Sequence, residues 1–280
     1  MRVLRLPLVL ALAALAATGC TRRAVEGLPP GVEVEDLPDS ESWNASLRTS
    51  ADGRPQLEVD APYLARYTRD SATVYLGPPP GDSAAAPVEI RLFGGDGAAR
   101  GSVRAREVRL YDDGARLVAD GAARATVLGS DGAVIDAARL IVQGEAIEAE
   151  GRVRADVQGG GGARVQSARL AVAEGGAFTA SGGAVVELTG RANATVRART
   201  VAGAGGRYEA TGGVRVAASG GRTLEAERVI WDEAAGRFLA PGAFAFDGPG
   251  ERVRGVGLSA SADLSRYSFR GATGEIEVRE

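Results

Sequence analysis

The sequence predicts an all-β protein whose elongated antiparallel sheet folds over on itself, as either a jelly roll or a β-solenoid. Three observations predict this class: short alternating segments broken by glycine pairs, no sustained helical periodicity, and self-similarity with a period of about 30 residues. A single hairpin of this length cannot bury its apolar face, so successive copies must stack into one sheet. In chain order the elements are a leader, a tether and the repeats.

The start of the chain has the organisation of a bacterial secretory leader. Two arginines precede an apolar stretch over residues 6–17, which contains a proline and is shorter than the ~20 residues that a membrane-spanning helix needs. Small residues then precede Cys20, the only cysteine of the chain. Because residues 17–20 resemble a lipobox, we predict a signal peptide over residues 1–19 and lipid attachment at Cys20, which anchors the protein to a membrane.

Composition excludes several classes of function. Removal of the leader changes the formal net charge from −3 to −5, whereas nucleic-acid binders carry an excess of positive charge. The chain has no histidine and no lysine, which removes imidazole acid–base chemistry, histidine-ligated metals and lysine nucleophiles. The adjacent acids Asp112 and Asp113 precede a glycine and predict a turn rather than a catalytic pair. We therefore expect no enzyme activity, no cofactor, no metal and no nucleic-acid partner.

A tether rich in proline and glutamate extends to residue 40, and a five-residue pattern then recurs. Its copies begin at Leu117, Ile147, Phe178, Tyr208, Phe238 and, more loosely, Tyr267, at spacings of 30, 31, 30, 30 and 29 residues. Because these spacings are so regular, the pattern predicts a repeat domain over residues 41–280, with two strands and two turns in each unit.

A second pattern precedes the copies, with inward candidates spaced two, three and two residues apart. It comprises Val103, Ala105, Val108 and Leu110, then Ile135, Ala137, Leu140 and Val142, then Val165, Ser167, Leu170 and Val172, and finally Leu224, Ala226, Val229 and Trp231. The step of three interrupts strict alternation at one place in each copy, as a β-bulge or a corner does. A looser copy at Ala194, Val196, Arg199 and Val201 predicts an irregular strand there.

Tight turns complete each unit, because glycine readily takes the positive φ angles that hairpin turns require. They are predicted at Asp113-Gly114, Asp131-Gly132, Gly175-Gly176, Gly205-Gly206 and Gly220-Gly221. The segment from Trp43 to Leu92 is predicted to begin the sheet, with Trp43, Ala45 and Leu47 alternating on one face. Residues 78–87 are rich in proline and glycine and predict an exposed loop.

The inward positions are poor in large side chains. One column consists of Ala119, Ala149, Ala180, Ala210 and Ala240, and another of Ala105, Ala137, Ser167, Ala226 and Gly255. Two explanations stay open: small residues let the two halves of the sheet approach closely, or they leave an apolar furrow that hydrocarbon from another molecule fills. Six of the 14 aromatic residues follow residue 229, where they either close the core or form the wall of a lipid path.

The last sixty or so residues carry a more specific pattern, which comprises residues 224–233, Arg237-Phe238, Pro241, residues 252–258, Ala260, Asp263-Leu264 and Tyr267. This pattern resembles the LptC family, the membrane-anchored periplasmic components of lipopolysaccharide export. The upstream repeats resemble the wider LptA/LptC/OstA β-jelly-roll group. The resemblance implies an open, V-shaped β-jelly roll whose interior groove holds the acyl chains of lipopolysaccharide.

The resemblance also implies partners and site residues. Lipopolysaccharide would pass from inner-membrane ABC transporter subunits through this chain to an LptA-like periplasmic bridge protein. The lipid on Cys20 would replace the family's transmembrane helix, on the periplasmic side of the inner membrane. Candidates for the lipid groove are Trp231, Phe244, Phe246, Leu258 and Phe269. An exposed sheet edge invites another strand, and the candidates for the edge facing the bridge are Tyr267, Ile276 and Val278.

The sequence thus predicts a signal peptide over residues 1–19, a lipidated tether over residues 20–40 and a β-jelly-roll domain over residues 41–280. The expected function is lipopolysaccharide transport across the periplasm, as a non-catalytic component of a bridge driven by an ABC transporter. The alternative is a structural or scaffolding β-repeat lipoprotein with a closed core.

Overall fold

The computed structural model describes residues 37–67, 73–129, 132–158, 162–189 and 193–276. Within these residues 18 strands form one antiparallel sheet, which confirms the predicted all-β class. The strands are β1 (Ser40–Ala51), β2 (Arg54–Tyr67), β3 (Thr73–Gly77), β4 (Val88–Phe93), β5 (Ala99–Ala105), β6 (Glu107–Tyr111), β7 (Arg116–Val127), β8 (Ala133–Gln143), β9 (Ala146–Val157), β10 (Ala163–Val172), β11 (Phe178–Leu188), β12 (Ala194–Ala204), β13 (Arg207–Ala218), β14 (Thr223–Asp232), β15 (Arg237–Gly248), β16 (Glu251–Ser261), β17 (Tyr267–Ser268) and β18 (Gly271–Ile276). The described residues contain no helix with the length and apolar character needed to cross a membrane.

From β7 to β16 every strand pairs with the next strand along the chain. The start of the sheet is more complex, because β2 pairs with β1 on one side and with both β3 and β4 on the other. Strand β3 pairs with β6, and β4 pairs with β5. Strands β5 and β6 then both pair with β7. At the far end, β17 and β18 both pair with β16.

Each long strand from β7 to β16 bends once, and the bends align into a crease. In β7 and β8, Asp120 pairs with Arg139 and Ala123 with Ala137, so two residues of β7 oppose Ala138 alone. The step of three predicted this break in alternation in β8, where it is found, but the extra residue of the bulge lies in the neighbouring strand β7. The crease divides the sheet into two halves. Leaf A contains β4, β5, β18 and residues 57–60, 123–127, 133–137, 153–157, 163–167, 184–188, 194–198, 214–218, 223–226, 243–248 and 251–256. Leaf B contains β3, β6, β17 and residues 63–67, 116–120, 139–143, 146–150, 169–172, 178–181, 200–204, 207–211, 228–232, 237–240 and 258–261.

The two leaves face each other. Tyr267 pairs with Ala260 in leaf B, yet its hydroxyl lies 2.6 Å from Oε2 of Glu251, at the leaf A end of β16. In an unbent strand, residues nine positions apart would be separated by ~30 Å. The contact therefore requires that the sheet fold over on itself, and the chain is an elongated β-jelly-roll-like sheet built from hairpins.

Of the five described strands that bulge at the crease, four have glycine in the first of the two bulged positions, and the fifth, β15, has Pro241 there. The glycines there are Gly121, Gly151, Gly182 and Gly212, with φ from 76° to 85°. A Cβ on any of them would lie 2.6–2.9 Å from the Cβ of the residue opposite in a neighbouring strand. The second position accepts a side chain, since Ala122 and Arg152 occupy it with φ of 57° and 54°. Close approach of the backbones thus selects glycine at one position only.

Alternate side chains fill the space between the leaves. The predicted set Ile135, Ala137, Leu140 and Val142 is buried on the inner face, as are Val103, Ala105, Val108 and Leu110. The predicted irregularity of β12 is wrong: Val196, Ala198 and Val201 are buried and Arg199 is exposed, so the bend follows the same two-three step as elsewhere. The sequence pattern placed this bend too early because Ala194 is also buried.

Predicted loops and turns lie between strands where they are described. The turns around Gly114, Gly176, Gly206 and Gly221 each connect two consecutive strands, while Asp131 lies outside the described residues. Residues 78–87 form the predicted loop between β3 and β4, and most of this loop is exposed. The repeat boundaries inferred from the sequence therefore correspond to the hairpins of the sheet.

Candidate functional site

The candidate site is the apolar space between the two leaves. Its leaf B side carries the column Ala119, Ala149, Ala180, Ala210 and Ala240, and these residues are 0–4% exposed. Its leaf A side carries the second column of small residues, in which Ala105, Ala137 and Ser167 are buried. The Ser167 hydroxyl donates a hydrogen bond to the carbonyl oxygen of Arg169 at 2.9 Å, so this polar group is satisfied inside the apolar interior.

The interior is occupied by the chain's own side chains. Phe238, Phe246, Leu140 and Leu224 are all 0% exposed between the leaves. The small residues bring the two leaves close together, which is the first of the two explanations for the alanine columns. Because the interior is filled, an acyl chain enters it only if the leaves separate.

Four of the five groove candidates lie in this interior. Trp231 and Leu258 are buried on leaf B, and Phe244 and Phe246 are buried on leaf A. Phe269 differs, because it follows β17 at the corner before β18 and is 42% exposed. The sequence pattern thus identified inward positions, and whether these side chains contact lipid stays a prediction.

An aromatic cluster occupies the C-terminal end of the interior. Phe246 and Tyr267, from opposite leaves, have ring centroids 4.6 Å apart, and Phe269 lies 6.1 Å from Tyr267 and 6.2 Å from Phe244. Trp231 is not part of this cluster and packs instead against Phe238 at 4.6 Å. The structure therefore brings Phe244, Phe246 and Phe269 together and places Trp231 beside Phe238 instead.

The edge candidates lie at the end of the sheet. Tyr267 and Ile276 belong to β17 and β18, which pair only with β16 among the described strands. The ring of Tyr267 points into the interior rather than outward, and burial together with the hydrogen bond to Glu251 raises the pKa of Tyr267 to about 12. Val278 and the lipidation candidate Cys20 lie outside the described residues.

A side-chain contact bridges the margin opposite the crease beside β5. Arg100, in leaf A, donates a hydrogen bond from Nη2 to the carbonyl oxygen of Gly144, in a leaf B turn. Its Nη1 lies 3.6 Å from Oε1 of Glu145. The sequence did not identify Arg100, because this contact exists only once the bend has brought the two margins together.

The opposite end of the sheet exposes apolar surface. Trp43, on the inner side of edge strand β1, is 58% exposed and contacts Tyr63 edge-on with a centroid separation of 5.6 Å. The Tyr63 hydroxyl donates a hydrogen bond to Glu41 in the same leaf, and burial with this bond raises the pKa of Tyr63. The predicted alternation of Trp43, Ala45 and Leu47 therefore lines the mouth of the interior.

The chemistry available in this site is burial of apolar groups. Across the described ranges, no three histidine, cysteine, aspartate or glutamate side chains are grouped to hold a metal ion. The resemblance of the C-terminal residues to LptC is carried by the sequence pattern alone and stays a prediction. No family model matches this chain, and no curated protein is similar to it in sequence.

Proposed function

We propose that this chain is a non-catalytic lipid-transfer component of lipopolysaccharide export, which shields acyl chains between its two leaves as they cross the periplasm. One observation carries the proposal. An apolar interior lined by small residues continues across the sheet, and contacts of Arg100 with Gly144 and Glu145 bridge its margin opposite the crease. A lipid path needs such an interior together with a margin that can open.

The energetics favour opening of an interior lined by alanine. An acyl chain of ~12 carbons gains roughly 10 kcal/mol when it leaves water, at ~0.8 kcal/mol per methylene. Separating the leaves exposes large side chains such as Leu140, at ~1.5–3 kcal/mol each, but only a methyl group at each of Ala149, Ala180 and Ala210, which loses less. An incoming acyl chain therefore replaces the contacts that it breaks.

The remaining parts of the proposal rest on the sequence. The lipid on Cys20 holds the protein on the periplasmic side of the inner membrane, where ABC transporter subunits supply lipopolysaccharide. The sheet edge at β17 and β18 passes it to an LptA-like bridge protein by strand addition. Trp231, Phe244, Phe246, Leu258 and Phe269 are the side chains that we propose line the acyl path.

A second candidate function is favoured by a specific observation. Inner side chains such as Phe238 and Phe246 are fully buried, which is the packing of a closed core. In that case the molecule is a structural or scaffolding β-repeat lipoprotein, and its leaves stay together. The two proposals differ in whether the leaves separate, so the experiment addresses that step.

Photo-crosslinking tests contact with lipid. In the full chain, p-benzoylphenylalanine replaces either Phe246 or Leu258, whose side chains lie between the leaves. The matched control carries it in place of Ala171, which is exposed on the outer face of β10. We expect adducts with lipopolysaccharide from the two inner positions and none from position 171. Absence of an adduct from both inner positions contradicts the lipid-transfer proposal.

A chemical staple then tests opening of the margin. The variant Arg100→Cys with Glu145→Cys is bridged by a short bismaleimide, and Arg100→Cys alone, treated in the same way, is the control. We expect the bridged protein to lose at least nine tenths of its inner adducts, whereas the control keeps them. A bridged protein that still forms adducts shows that lipid does not enter by separation of this margin.

A further inference from the structure

Arginines on the outer face of the sheet fall into two groups. The first makes cross-strand ion pairs, for example Arg228 with Glu209 at 2.8 Å and Arg164 with Asp156 at 2.7 Å. In the second group, no arginine makes an ion pair with any residue in the described part of the chain. Six members of this group lie near the crease, namely Arg106, Arg152, Arg154, Arg197, Arg199 and Arg254, and all six are exposed. Others, such as Arg66, Arg207 and Arg237, lie on leaf B away from the crease.

The six members near the crease lie along one strip. Three of its members, Arg106, Arg152 and Arg199, lie at the crease. The others belong to the leaf A row beside the crease, in which each residue faces the next across neighbouring strands: Arg104, Arg124, Asp136, Arg154, Gln166, Val185, Arg197, Arg215, Glu225, Ala245 and Arg254. We call the nine arginines of this row and of the crease the arginine strip.

The charge of the strip is unlike that of the molecule. Its nine arginines face four acidic residues, namely Glu89 and Asp136 toward one end and Glu225 and Glu227 toward the other, although the whole chain carries a net charge of −3. The equivalent row on leaf B is balanced, with three arginines and three acids: Glu107, Asp120, Arg139, Glu150, Arg169, Ser181, Thr200, Thr211 and Arg228. The excess of positive charge is therefore specific to one side of the crease.

Ion pairs within the sheet account for only three of the nine arginines, since Arg104 pairs with Glu89, Arg124 with Asp136 and Arg215 with Glu225. Arg104 lies directly opposite Arg124, and Arg197 directly opposite Arg215, in paired strands. Like charges in such positions repel and destabilise the pairing. Arg104, Arg106 and Arg124 also line a depression in the surface, walled by Ser83 and Pro87 of the loop before β4. Anionic groups bound along the strip would remove this repulsion.

We propose that the arginine strip binds an extended anionic polysaccharide through its carboxylate or phosphate groups. Guanidinium groups pair with such anions in bidentate geometry. A single-stranded nucleic acid fits less well, because the strip offers no aromatic ring on which successive bases could stack. A flat membrane also fits less well. Neighbouring strands of a sheet are typically rotated by ~20–25°, so across the several strands between Arg106 and Arg215 we expect the strip to turn away from a single plane. A flexible chain follows the twist.

Binding of full-length protein to dextran sulfate tests this proposal, with neutral dextran of the same length as the reference. The strip variant is Arg106→Gln, Arg152→Gln and Arg154→Gln. The matched control is Arg139→Gln, Arg169→Gln and Arg228→Gln, which removes the same charge from leaf B. We expect the strip variant to bind dextran sulfate at least tenfold more weakly, with a weaker dependence on salt, and the control to change less than twofold. Adding Arg197→Gln and Arg199→Gln to the strip variant should weaken binding further.

Several outcomes overturn the proposal. Equal losses in the strip variant and the control show that only net charge matters. Equal binding of dextran sulfate and neutral dextran shows that the anionic groups are not recognised. Tighter strip-dependent binding of single-stranded DNA, or of vesicles rich in phosphatidylglycerol, assigns the strip to another class of partner. Thermal melting of each variant confirms that it is folded. The strip lies on outer surfaces, so its test is independent of lipid in the interior.

Discussion

The Cβ of Ala168 faces Gly182 across the crease so closely that a Cβ on residue 182 would lie 2.7 Å from it. Gly183, the next residue, has a similar positive φ of 90°, but open space surrounds the position of its missing Cβ. Gly182 and Gly183 therefore share a positive φ, but only Gly183 has room for a Cβ. Substitutions at the two positions thus distinguish the cost of the backbone conformation from the cost of a steric clash.

Gly183→Ala should lower the free energy of unfolding by about 1–2 kcal/mol, the cost of positive φ for an L-residue. Gly182→Ala should lower it by a further ~1–3 kcal/mol, because its methyl group also overlaps Ala168. Urea denaturation of both variants measures the difference. Equal losses would show that the backbones at the crease move apart easily and that close approach does not select glycine.

Tyr267→Phe removes the hydroxyl that joins the leaves and should cost about 1–2 kcal/mol at neutral pH, as expected for a hydrogen bond to a charged acceptor. The pKa of Tyr267 is raised to about 12, so the protonated hydroxyl is favoured in the folded state. Its contribution is fully present below the ordinary tyrosine value near 10 and is lost as the pH rises to about 12. Urea denaturation between pH 7 and 12 should show wild type and variant converging, whereas Tyr111→Phe should match wild type throughout.

Ala180→Leu distinguishes a close-packed interior from an unfilled furrow. Ala180 is 0% exposed between the leaves, so a larger side chain should lower the free energy of unfolding by about 1–3 kcal/mol. The control Ala171→Leu, on the exposed face of the adjacent strand, should change it by less than about 0.5 kcal/mol. An increase in stability for Ala180→Leu would indicate that the leaves enclose empty space.

Asp263→Asn should weaken the turn between β16 and β17. The Asp263 carboxylate accepts hydrogen bonds from the Ser261 hydroxyl at 2.6 Å, the Ser265 hydroxyl at 2.8 Å and the Ser265 backbone N–H at 3.0 Å. These bonds lower the pKa of Asp263, so its contribution is present above the ordinary value near 4 and disappears as the pH falls. We expect a loss of about 1 kcal/mol at pH 7 that shrinks below about pH 4. Urea denaturation at pH 7 and pH 3 measures this, with the exposed turn variant Glu174→Gln as the control.

The sequence predicted the fold from local signals and missed the features that depend on register. The two-three-two spacing of Ile135, Ala137, Leu140 and Val142 encodes the bend itself, so the sequence alone predicted where the strands bend. The bend of β12 was misplaced because the small residues Ala194 and Ala198 are alike in an apolar pattern. Arg100 and the arginine strip could not be predicted, since their neighbours lie on other strands and become adjacent only through pairing and folding.

The inward placement of Phe246 and Leu258 followed from alternation, but their packing did not. Whether facing side chains meet or leave a gap depends on the distance between the leaves, which no sequence period specifies. The exposure of Phe269 could not be predicted either, because this residue lies in a corner where strand alternation ends.

Because each hairpin pairs only with the hairpins beside it, the length of the sheet can change by one hairpin at a time. Two strands add ~9.6 Å along the sheet, and the insertion or loss of one whole unit leaves the crease and both terminal strands unchanged. The length of the molecule can therefore vary in steps while its ends are conserved. A protein of this construction can match a gap of a given width by its number of repeats alone.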